Sequence, residues 1–78
     1  MSARREFVEK DGIRITYLDD NVCFEDMQKA DAILIDNQGG IIHNNFDAER
    51  TAFFLAYWRK IYDTIQTFRS LDSAEEAG

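Results

Sequence analysis

Phe54, Trp58, Ile61, Ile65 and Phe68 are spaced 4, 3, 4 and 3 residues apart, the heptad seam that sets every member on one stripe of an α-helix. Asn44 or Asn45 is the expected cap, and Asp47 and Glu49 lie in the first turn, where the positive end of the helix dipole favours anions. Arg69 lies near the end, where the dipole favours cations. A helix over residues 46–71 is about 39 Å long at 1.5 Å per residue. A folded chain of 78 residues is only about 30 Å across. The helix is therefore expected to overshoot its own domain, and a homodimer interface of Phe54, Trp58, Ile61, Ile65 and Phe68 would cover the excess. Phe53, Leu55 and Tyr57 lie off that stripe, so the first half of the helix calls for cover on more than one side.

The remainder reads as strands. Glu6–Glu9 and Ile13–Leu18 flank Lys10-Asp11-Gly12, and Asp-Gly tolerates the positive φ of a tight hairpin. A two-residue turn sets Val8 opposite Ile15, whereas a three-residue turn with a bulge at Gly12 sets Phe7 there. Ala32–Ile35 and Ile41–His43 flank the loop Asp36–Gly40 and form a second hairpin. The first of these runs is continuously apolar, as in a strand covered on both faces or one protected on its second face by a partner chain. Between the hairpins, Asp20 or Asn21 caps an expected short acidic helix from Phe24 to Ala30, anchored by Phe24 and Met27. The fold class is α+β: a small antiparallel sheet of two hairpins, a short acidic helix between them, and one long C-terminal helix packed on the sheet. Residues 1–71 form a single domain and 72–78 an acidic tail expected to be disordered.

Charge narrows the function classes. Fifteen carboxylates against nine Lys and Arg leave a net charge of −6, which repels phosphate backbones and anionic membranes. No stretch of 18 apolar residues is present, and the polar start Met1–Glu6 has no apolar signal core, so a cytoplasmic location is expected. With the only cysteine, Cys23, and the only histidine, His43, the chain lacks the ligands of a structural zinc site, and nothing in the spacing pairs the two for catalysis. The Asp36–Gly40 loop has no phosphate-loop lysine, and the acidic residues lack an EF-hand pattern. No catalytic residue, metal site or cofactor is expected, and the chain is read as a non-enzyme.

Two surfaces remain for binding. Asp19, Asp20, Glu25, Asp26 and Asp31 stand against the single Lys29, and such a row can imitate a phosphate backbone or steer the chain to a basic partner. Tyr57, Arg59 and Tyr62, around Trp58, are residue types that dominate binding hot spots. The expected function is a small acidic protein-binding module that docks, as a homodimer, on a larger protein with a basic surface. In size and charge, though in no residue motif, the chain is similar to the acidic inhibitors that phages make against host nucleic-acid machinery, such as anti-restriction and anti-CRISPR proteins. The alternative is an accessory subunit that docks into a larger assembly through its C-terminal helix. The run from Ala32 to Asn45 into the helix also resembles the opening of a PAS sensor domain, but the remaining sheet of that family has no counterpart here.

Overall fold

The computed structural model describes residues 4–77, with side chains as far as Asp72. Five strands run in chain order, β1 (Arg5–Lys10), β2 (Ile13–Tyr17), β3 (Asn21–Asp26), β4 (Asp31–Asp36) and β5 (Ile41–Asn44), followed by the helix α1 (Ala48–Ala77). They form one antiparallel meander with β1 and β5 at its edges. The α+β architecture with a long C-terminal helix is thus observed, built on five strands rather than on two separate hairpins.

The first turn is the two-residue one. Asp11 (φ 53°) and Gly12 (φ 80°) set Val8 opposite Ile15, and the irregularity falls at Phe7, between Glu6 and Val8. The expected acidic helix from Phe24 to Ala30 is absent: the segment is β3 followed by a tight turn. Val22, Phe24 and Asp26 alternate with Cys23 and Glu25, and the alternating members are buried against the core. Asp26 then closes the turn, its Oδ1 accepting from the amides of Gln28 (3.0 Å) and Lys29 (3.1 Å). Ala30 adopts φ 58° to lead into β4. Side chain to backbone bonds of this kind offer the chain an alternative to helix, and here they win.

Register places like with like across the sheet. Ile15, Phe24 and Ile33 lie side by side, as do Tyr17, Val22 and Ile35, and all six are buried. On this face lies α1, whose Phe54, Trp58 and Ile65 complete the core. The Phe54 ring packs 5.2 Å from Phe24 and 4.8 Å from Phe46. Of the stripe expected to pair two chains, Phe54, Trp58 and Ile65 are therefore buried within one chain, while Phe68 stays 36% exposed. Ile61 is half-buried on the same core, and Phe68 packs 5.0 Å from Phe7. The physical reason is area: an open five-stranded sheet offers the helix a ready apolar face, which covers Phe54, Trp58 and Ile65 without a second chain.

The cap is Asp47 rather than Asn44 or Asn45. Its Oδ1 accepts from the Arg50 amide at 2.8 Å, whereas Asn44 bonds the amide of Phe46 and Asn45 bonds that of Ala32. At the other end the α1 backbone continues through 72–77 instead of stopping at Leu71. Asp72 gives it a reason to continue, accepting from the Tyr17 hydroxyl at 2.7 Å and facing Arg5 Nε at 3.2 Å. Side chains beyond Asp72, and Gly78, lie outside the described residues. The molecule measures 42 × 24 × 21 Å, so α1, about 45 Å long at 1.5 Å per residue, sets its long axis.

Candidate docking surface

The expected acidic row does not survive folding as one strip. Asp19 and Asp20 lie before β3 while Asp26 closes its far end beside Asp31, about 17 Å away at 3.3 Å per residue. Asp26 is moreover 6% exposed and paired with Arg50 at 3.3 Å. Burial opposes its ionisation, yet the amides of Lys29 and Gln28 and the charges of Arg50 and Lys29 hold its carboxyl below the usual carboxylate range. Glu25 is half-buried on the opposite sheet face. Only Asp19 and Asp20 remain together as exposed carboxylates of that set.

Nor do Tyr57, Arg59 and Tyr62 form one cluster. At about 100° of rotation per residue, Tyr57 and Tyr62 are about 140° apart around the helix. Tyr57 stands edge-on to Phe24 at 5.7 Å, and Tyr62 lies against Trp58 at 4.9 Å; both are half-buried. Arg59 is exposed.

On the sheet face away from α1, Cys23 is half-buried and burial pushes its thiol up, while Arg4 pulls it down and Glu25 adds to the rise. Leu34 separates Cys23 from His43 in the register, leaving them two strands and about 10 Å apart. They therefore form no nucleophile and base pair. Among the described residues, no group of three or more His, Cys, Asp and Glu lies close enough to hold a metal ion. Leu34 is half-exposed, so β4 is covered on one face and partly open on the other. At the β1 side Arg14 pairs with Glu6 (3.2 Å) and Glu9 (3.5 Å), which spends much of the charge there.

The surface that stands out is the outward side of α1. Phe53 is 60% exposed although its neighbour Phe54 is 1% exposed. Phe53, Ala56, Tyr57, Lys60 and Ile61 line a hollow of 490 Å³. A second trough of 200 Å³ opens beside it toward the β1–β2 hairpin, lined by Val8, Lys10, Ile13, Phe53 and Tyr57 among others. The two share Phe53 and Tyr57, so an apolar surface runs from the hairpin to Ile61 with Lys10 and Lys60 at its margins. Phe53 belongs to the off-stripe set that demands extra cover; that pattern was visible in the sequence, but only the fold shows that the cover is missing.

Sequence reasoning missed one heavily bonded side chain. Arg69, 8% exposed, donates to Leu18 O (2.8 Å), Asn21 O (3.1 Å), Asn37 Oδ1 (3.0 Å) and Gln66 Oε1 (2.8 Å). It clamps the β2–β3 and β4–β5 connections to α1. No local pattern could have disclosed this, since its partners lie 32 to 51 residues away apart from Gln66. No helix is long and apolar enough to cross a membrane among the described residues. No family model, curated protein or solved structure matches this chain.

Proposed function

We propose that this chain is a non-enzymatic protein-binding module whose working surface is the outward face of α1 around Phe53, Ala56, Tyr57 and Lys60. One observation carries the reading: a phenylalanine 60% exposed on a helix already committed to a core, beside a 490 Å³ apolar hollow. Soluble chains seldom leave contiguous aromatic surface uncovered unless something docks on it. The helix is rigidly held, by the sheet along its middle and by Arg69 further along, so the docking residues are preorganised at little entropic cost. This keeps the helix as the working element, as in an accessory subunit. The inhibitor that imitates a phosphate backbone draws less support, because its carboxylates divide between opposite ends of β3 and Asp26 is neutralised by Arg50. Asp19 and Asp20 act in the proposal only by steering encounter with a basic surface. A cytoplasmic setting, in which the Cys23 thiol stays reduced, accords with it.

The test is a photo-crosslinking side chain in place of Phe53, with the same group at exposed Ser70 as control, in cells producing the chain. The expected result is a discrete protein adduct from position 53 and none from position 70. Equal labelling at both positions, or none at either, would overturn the reading.

A further inference from the structure

Four exposed residues on the outward face of α1, Glu49, Phe53, Ala56 and Lys60, are spaced 4, 3 and 4 apart and form a second heptad seam. At about 100° per residue it points about 130° around the helix from the core stripe, with Phe53 bordering the trough beside the β1–β2 hairpin. Besides Ile61, the hollow of 490 Å³ on this seam is bounded by Phe53, Ala56, Tyr57 and Lys60. These are positions i, i+3, i+4 and i+7, the four residues that form the hole for a knob from a facing helix.

The seam is complementary to itself when reversed. Read in one direction it runs acid, large ring, small methyl, base, and read in the other it runs base, methyl, ring, acid. If a second copy lies antiparallel with the two-fold axis between Phe54 and Leu55, each Phe53 falls over the Ala56 of the other chain. Each Glu49 meets the other chain's Lys60, and Phe53 becomes the knob in the hole that Ala56 leaves. An isologous two-fold contact requires this kind of reciprocity, residue i meeting j and j meeting i. Any other occupant must supply the same alternation of charge and size independently.

We propose that a second copy of this chain occupies the seam, giving an antiparallel two-fold dimer through α1 by way of Glu49, Phe53, Ala56 and Lys60. The inference rests on the docking reading above and names its partner. The dimer differs from one along Phe54, Trp58 and Ile65, which the sheet has already covered. A seam of four layers buries less than the about 1,200 Å² of a standard interface, so association is weak and depends on concentration in the micromolar range.

Sedimentation equilibrium across micromolar to millimolar chain concentration tests it. The mass should rise from 9.1 kDa toward twice that value. Ala56→Arg fills the hole and should weaken the dimer by about a hundredfold. Glu49→Lys and Lys60→Glu each turn both ion pairs into repulsions and should weaken it by about tenfold, the scale of exposed pairs. The two single variants mixed together should associate as well as the wild type, because each Lys then faces a Glu, and the double variant should recover too. Residues 49 and 60 are three turns apart on one helix, so no contact within the chain explains such a rescue. Circular dichroism melting of each variant checks that the fold is retained.

A wild-type chain that stays at 9.1 kDa throughout, or a mixture of single variants that fails to associate, overturns the dimer. The docking reading is judged separately by the adduct at position 53: a mass of two chains supports both, and an adduct of another mass leaves the docking surface standing without the dimer.

Discussion

Replacing Arg69 with methionine keeps most of the apolar stem and removes the guanidinium, so it isolates the bonds between α1 and the loops. Three acceptors outside the helix lose the charged donor: Leu18 O, Asn21 O and Asn37 Oδ1. A buried acceptor left without a partner costs about 1–3 kcal/mol. Asn21 O is buried but keeps the Leu18 amide at 3.0 Å, so it loses one bond rather than its last partner, and water can reach the half-buried Leu18 and Asn37 and relieve part of their penalty. The sum is about 2 kcal/mol, or about a 30-fold shift in the unfolding equilibrium, since 1.4 kcal/mol is tenfold. A domain of this length holds about 4–12 kcal/mol in all, so the variant should lose a large share of its stability. The midpoint should fall by about 8–16 °C at 4–8 °C per kcal/mol. Urea unfolding followed by far-ultraviolet circular dichroism and by Trp58 fluorescence measures it, with the slope showing whether the transition remains two-state. Arg69→Lys should recover less than half of the loss, because one ammonium cannot reproduce a planar fork that reaches two loops at once. A loss under about 1 kcal/mol for the methionine variant, or full recovery with lysine, would refute the clamp.

Three further outcomes follow from the geometry. Burial and the bond to Asp72, with the charge of Asp72, push the Tyr17 hydroxyl up to about 12 against the opposing charges of Arg5 and Arg69. The phenolate absorbance of the wild type minus that of Tyr17→Phe should therefore titrate near that value; because the folded value is raised, the associated stability is present below about pH 10 and lost as pH rises toward 12. Asp26 has a lowered folded value, so its contribution is present above its ordinary value of 3.8 and lost as pH falls through the folded one. Asp26→Asn, which keeps an acceptor for the turn, should flatten that acid limb in urea melts at successive pH values. Finally, Phe54→Ala should cost about 3–5 kcal/mol while Phe53→Ala stays within about 0.5 kcal/mol, and equal losses at the two positions would contradict the assignment of core and surface.

The helix and both glycine-bearing hairpins were legible because each depends on neighbours in the chain: the 4-3-4-3 spacing from Phe54, the positive φ available at Asp11-Gly12, and the loop from Asp36 to Gly40. Even the choice of a two-residue turn was among the alternatives. The segment from Phe24 to Ala30 misled because Phe24 and Met27 are three apart, which suits a helix, while Val22, Phe24 and Asp26 are two apart, which suits a strand. Local pattern alone does not rank the two. Pairing with β2 and β4 on both sides does, by supplying backbone partners along the whole of β3.

By itself the sequence determined the α+β class, the presence of a long C-terminal helix, and a net charge of −6, since these follow from periodicity, turn chemistry and composition. Tertiary structure alone decided which aromatic stripe is buried, that the acidic residues part to opposite ends of β3, and that Arg69 reaches two loops. Those outcomes depend on which surfaces meet once the sheet closes under the helix. Phe53 and Phe54 differ by one residue in the chain and by about 100° around the helix, and that rotation leaves one in the core and the other exposed.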